Sequence, residues 1–111
     1  MIHKMNLRNG AFNKIKNKTK TIEMRLFDKK RSIISVGDII EFTNTKTYEI
    51  CECVVINLYK YENFNELYKH HNKTTIGYSN NEIADPNDML TYYSAENIKK
   101  YGVLGIEVIV K

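Results

Sequence analysis

Lys18-Thr19-Lys20-Thr21-Ile22-Glu23-Met24-Arg25-Leu26 is the stretch on which the fold of this chain turns. From residue 20 to 26 apolar and polar side chains alternate, so that Ile22, Met24 and Leu26 share one face of a strand and Thr21, Glu23 and Arg25 the other. The spacing predicts a core face and a polar face, with Lys20 at the strand's entry. Upstream, residues 3–7 read as a short strand. Phe12 and Ile15, set among Lys14, Lys16 and Lys18, predict a brief amphipathic helix with its lysines outward. Downstream, Val36-Gly37-Asp38 is a turn that launches Ile39-Ile40-Glu41-Phe42, and Asn44-Thr45-Lys46 is the turn out. Residues 49–58 carry the longest strand signal. Ile50, Val54, Ile56 and Leu58 lie on one side and Cys51, Cys53 and Val55 on the other, which predicts burial on both faces and a central place in the sheet.

In the C-terminal half, Asn63 is placed to cap a helix whose Phe64, Leu67, Tyr68 and His71 form one buried stripe. Residues 72–84, with Gly77, Ser79 and paired asparagines, read as an irregular loop long enough to be functional. Asp85-Pro86 and Ser94 are helix starts, Gly102 is a helix stop, and residues 103–110 close the chain as a strand. The order strand, helix, two or three strands, helices, strand is α+β, with a small mixed or antiparallel sheet able to curl into a barrel. There is no internal repeat and no dinucleotide-binding βαβ unit.

A chain of 111 residues, 42% hydrophobic and 27% charged, has room for one domain spanning 1–111 and for no second core. One proline and five glycines argue against linkers. A formal charge of +4 favours anionic partners. No secretory signal and no membrane-spanning run is visible, so a cytoplasmic location and no membrane partner are expected. Cys51 and Cys53 are too close for an unstrained disulfide and too few for a zinc site, and read as buried apolar side chains. His70 and His71 diverge by about 100° on a helix and cannot grip one ion together, and His71 reads as structural. No metal and no cofactor is expected.

The candidate site is the polar set around the strand at 20–26. Lys18, Lys20 and Arg25 supply donors for phosphate or a base edge, Glu23 can accept from an amino group, and Thr21 adds a hydroxyl. The competing account is a solvated strand face with weak cross-strand ion pairs. Among eight tyrosines, Tyr78, Tyr93 and Tyr101 are candidates for stacking on bases.

The run Lys18-Thr19-Lys20-Thr21-Ile22-Glu23-Met24-Arg25 resembles the ASCH signature, glycine-any-lysine-any-any-glutamate-any-arginine, of small PUA-like proteins. Val36 to Phe42 is similar to that family's turn and following strand, Tyr92-Tyr93-Ser94 to its last helix start, and Tyr101 to Glu107 to its closing strand. The resemblance implies a PUA-like β-barrel of about five to six strands with peripheral helices. It further implies a cleft, lined by Lys20, Glu23 and Arg25, that takes RNA or a nucleotide. One departure is Lys18 at the signature's glycine, where a turn needing positive φ must be made at a steric cost or reshaped. One branch of the family hydrolyses the acetyl amide of N4-acetylcytidine with the signature lysine, a threonine at the position of Glu23, and a further glutamate. Here that threonine is a glutamate and the further glutamate has no counterpart in the pattern. Three functions follow: an RNA- or nucleotide-binding module, a nucleoside amidohydrolase with Lys20 and Glu23 catalytic, or a protein-interaction domain braced by a buried ion-pair network. Binding without turnover is the expectation.

Overall fold

The computed structural model describes all residues from Met1 to Lys111. The elements are β1 (Ile2–Leu7), α1 (Asn9–Lys16), β2 (Ile22–Leu26), β3 (Ile39–Asn44), β4 (Ile50–Tyr61), α2 (Phe64–His70), a 3-10 helix (Pro86–Thr91), α3 (Ala95–Tyr101) and β5 (Val103–Val110). The strands form one five-stranded sheet in the order β1-β3-β4-β5-β2, parallel between β1 and β3 and antiparallel elsewhere. This is an α+β half-barrel. Its two edges, β1 and β2, are linked by Arg25, whose Nη2 donates to the carbonyl of Asn6 at 2.8 Å. No helix is long and apolar enough to cross a membrane.

Inside the curl, Met5 and Leu7 of β1, Ile40 and Phe42 of β3, and Cys51, Cys53 and Val55 of β4 meet Phe12 and Ile15 of α1. The apolar pair on α1, three residues apart, is what brings that short helix onto the sheet; Lys16 stays exposed, whereas Lys14, expected outward, is half-buried against the loop at Gly77. Both cysteines are free and buried, and burial beside Cys51 pushes the Cys53 thiol up to about 12. Asn44, fully buried at the end of β3, explains the turn that follows. Its Oδ1 accepts from the backbone N–H groups of Lys46 and Thr47, and its Nδ2 donates to Asn9.

A second core lies outside the curl. Ile22, Met24 and Leu26 of β2 pack there with Val103, Phe64, Leu67, Ile76 and Met89. Asn63 caps α2 by accepting from the N–H of Glu66, so Phe64 and Leu67 both point onto the sheet. Burying each of these two side chains contributes about 1.5–3 kcal/mol. The alternation at 20–26 is therefore inverted relative to a simple barrel. The apolar face of β2 looks outward to the helical layer, and the face of Glu23 and Arg25 looks into the curl, beside Ile106 and Leu104.

Three expectations need correction. β4 is central, but only the Cys51, Cys53 and Val55 face of its first half is buried; Ile50 and Ile56 are exposed on the other. A register shift between Val55 and Asn57 then reverses the faces, turning Leu58 inward and Tyr59 and Tyr61 under α2. The segment begun by Asp85-Pro86 is a 3-10 helix, although Asp85 does cap it by accepting from the N–H of Asn87. His71 falls just past α2 and hydrogen-bonds the hydroxyl of Tyr61 through Nε2.

Lys18 sits at φ 71°, in the left-handed region. The turn between α1 and β2 keeps the glycine conformation without glycine, its backbone N–H held by the carbonyl of Ile15. A non-glycine residue pays roughly 1–2 kcal/mol there, partly offset because glycine loses more freedom on folding. Lys18→Gly is expected to stabilise the protein by up to about 1 kcal/mol, read as a higher urea midpoint at unchanged m. An unchanged or lower midpoint contradicts the strained turn.

Candidate functional site

The backbone first sets Lys20 in place. Its N–H donates to the carbonyl of Lys14 at the end of α1, and the next two N–H groups, of Thr21 and Ile22, both donate to the carbonyl of Thr75. The loop at 72–84 is thereby tied to the start of β2. Gly77, at φ 115°, passes so close that a Cβ there would stand 3.2 Å from Cδ of Lys20. Lys20 is consequently 8% exposed and Glu23 5%, values that exclude a solvated strand face.

Glu23 is gripped from both sides. Its Oε1 accepts from Nζ of Lys20 at 2.8 Å and its Oε2 from Nε of Arg25 at 2.7 Å. Burial by itself raises the carboxyl, but the two cations and their hydrogen bonds outweigh it, and the group is held below the usual carboxylate range. Both carboxylate oxygens are committed, whereas Nζ of Lys20 and Nη1 of Arg25 keep N–H groups without a protein partner. The trio carries one net positive charge and leaves N–H groups on two of its three members unpaired.

These donors line a cleft of about 640 Å³ in the gap between the sheet edges. Arg8, Gly10 and Lys14 border it on the α1 side, where Nζ of Lys14 donates to the carbonyl of Gly77 at 2.7 Å. Tyr68, Tyr78, Tyr92 and Tyr93 border it on the helical side, with the guanidinium of Arg8 over the ring of Tyr92 at 4.9 Å from its centre. Tyr93 is also stacked on Phe64, so its ring is fixed. The volume lies in the range of small-molecule sites.

Lys20, Glu23 and Arg25 are thus brought together. Lys18 and Thr21 do not line the cleft: they border a hollow of about 170 Å³ with Ile15 and Val108, on the other side of Lys20, which touches both. Thr21 precedes β2, and the strand's period does not extend to it. Tyr78 and Tyr93 line the cleft, and Tyr101 does not. Arg8, Lys14 and Asp88 also line the cleft, although nothing in their local sequence marks them as site residues; only the closure of the sheet carries them there. Tyr68 was read as part of the stripe on α2, and its ring does pack there while its hydroxyl faces the cleft wall. Nowhere do three His, Cys, Asp or Glu side chains converge as metal ligands.

The ASCH domain family matches residues 5–110. Among solved structures, the chain is similar to the hypothetical protein PH0355, with a TM-score of 0.85 and 29% identity over 100% of both chains. It is similar also to protein PF0455 from Pyrococcus furiosus, with a TM-score of 0.77 and 30% identity over 99% of this chain and 97% of that one. An S128A mutant of ZmASCH from Zymomonas mobilis shares the fold alone, with a TM-score of 0.69 and 12% identity over 97% of this chain and 67% of that one. No curated protein matches.

Glu23→Gln leaves two buried cations facing an amide and is expected to cost about 3–5 kcal/mol, measured by chemical unfolding at neutral pH. The carboxyl titrates lower in the folded than in the unfolded chain. Its contribution is therefore complete above pH 4.5 and is lost as pH falls through that value towards the lower folded one. The gap between wild type and variant should narrow on acidification; a gap that is constant with pH contradicts the assignment.

Proposed function

The chain belongs to the ASCH domain family, and we propose that it is a binding module whose cleft takes an RNA segment or a nucleotide. The observation that carries this reading is the pair of unspent donors, on Lys20 and Arg25, both anchored on a buried carboxylate each of whose oxygens already accepts from one of them. A phosphate or carbonyl oxygen satisfies such donors, and ordering them costs little because Glu23 already has. The tyrosines along the wall supply flat apolar surface for bases, and Arg8 and Lys14 add positive charge at the border.

In the amidohydrolase alternative, with Lys20 and Glu23 catalytic, the same geometry disfavours Glu23 as the proton-transfer group. Amide hydrolysis needs a proton delivered to the leaving nitrogen. Glu23 is held ionised with both oxygens engaged, so it is a poor acid and a poor base. A protein-interaction role for the bare network leaves the cleft and its free donors without a purpose.

The test pairs wild type with Lys20→Ala, both checked for cooperative thermal unfolding. Fluorescence anisotropy with a short single-stranded RNA is expected to show binding that weakens as salt rises. The variant should bind more weakly, and if Lys20 meets a phosphate its log–log salt slope should be shallower by about 1. In parallel, N4-acetylcytidine is incubated with each protein and the products are separated by chromatography. Release of cytidine by wild type and not by the variant would establish the hydrolase instead. Neither binding nor release would leave the network as a structural brace.

A further inference from the structure

Besides the donor floor, the cleft is lined by two more carboxylates: Glu82, whose Oε1 accepts from the N–H of Ser79 and lies 3.8 Å from Nζ of Lys14, and Asp88. Asp88, on the 3-10 helix Pro86–Thr91, lines the same cavity as Lys20 and Arg25. It is oriented by a chain of hydroxyls. The hydroxyl of Tyr78 donates to Oδ2 of Asp88 at 2.7 Å, a shorter contact than its 3.2 Å approach to the carbonyl of Asp85. With that single proton spent, Tyr78 can only accept from the hydroxyl of Tyr68, 2.9 Å away. Burial, then the bonds to Tyr68 and Asp88, raise the Tyr78 hydroxyl far above its ordinary value, so it remains a donor at every physiological pH. Tyr68 is in turn fixed by its ring, edge-on to that of Tyr78 and packed in the outer core. The result is an exposed carboxylate at the border of the cleft with one oxygen, Oδ2, tied to Tyr78 and the other, Oδ1, without a protein hydrogen-bond partner.

A cleft with donors on the β2 floor and an unspent carboxylate oxygen on another wall sorts its ligands. A phosphate is repelled by Asp88 and drawn to Lys20 and Arg25, so the Asp88 end is left for a base. A carboxylate accepts well from an exocyclic amino group, as in its pairing with N4 of cytosine. It pairs poorly with uracil, whose one ring N–H is flanked by two carbonyl oxygens that repel it. From these facts we infer that Asp88 is the specificity-determining residue of the cleft and selects nucleobases that carry an exocyclic amino group. Tyr78, and Tyr68 through it, act as positioning residues for that carboxylate. This inference rests on the cleft's being a nucleotide site.

Isothermal titration of wild type and Asp88→Asn with two matched pairs tests it: CMP against UMP, and GMP against IMP, which lacks only the 2-amino group. Wild type is expected to favour the amino-bearing member of a pair by roughly 10-fold, the scale of one hydrogen bond to a charged group. In Asp88→Asn, whose amide can donate to a carbonyl, that ratio should collapse towards parity or invert. Tyr78→Phe, which releases Oδ2, should reduce the ratio only in part while CMP or GMP still binds. Equal affinity within both pairs in wild type, or a preference that Asp88→Asn retains, overturns the role of Asp88 and leaves the nucleotide site standing. Binding of none of the four by wild type overturns the site and this inference together.

Discussion

The clasp of Lys20 and Arg25 on Glu23 is the constraint on which the rest of the molecule depends. β2 is an edge strand that turns a charged face into the curl, next to Leu104 and Ile106, where an unpaired carboxylate would be intolerable. Two cations make it tolerable, and each does a second job. Arg25 reaches across to the carbonyl of Asn6 and ties the two ends of the sheet. Lys20 lies against Gly77 and fills the space beneath the long loop. Removing the carboxylate would therefore loosen an edge, a loop and a cleft at once.

The clasp also decides what the cleft can do. A buried ion pair is weak evidence for stability, since its desolvation cost rivals its attraction. Its value here is directional. By engaging both oxygens of Glu23, the arrangement leaves spare N–H groups on anchored supports and a net positive charge on the floor. An acceptor is supplied separately, by Asp88 at the end of a tyrosine relay from α2 and the loop. Opposite polarities thus come from elements far apart in sequence.

The register shift in β4 connects the two halves of the molecule. Before it, the strand's inner residues serve the core of the curl and its outer ones face water; after it, Tyr59 and Tyr61 serve the outer core beneath α2. Without that reversal Tyr59 and Tyr61 would turn away from α2, which would then meet only the apolar face of β2, Val103 and the loop residues. Tyr68 on α2, and with it the relay to Asp88, would lose its platform.

Much of this was legible in the chain alone. The turn at Val36–Asp38 before the strand at 39–42, the apolar run at 103–110 after Gly102, the caps at Asn63, Asp85 and Ser94, and the Phe12–Ile15 pair are local signals, and an element formed at each. The Lys20, Glu23 and Arg25 pattern located the floor of the cleft because those residues are near neighbours on one strand. Even the strain at Lys18 was readable, since the turn's geometry is set by its immediate neighbours. What the sequence could not determine was which face of β2 is the inside, because period two distinguishes two faces without saying where the larger core lies. Nor could it place Arg8, Lys14 and Asp88 at the cleft, or reveal that Thr21 and Lys18 turn away from it. Those facts depend on how the sheet curls and on which loop closes its gap, and contacts between distant segments leave no periodic trace in the chain.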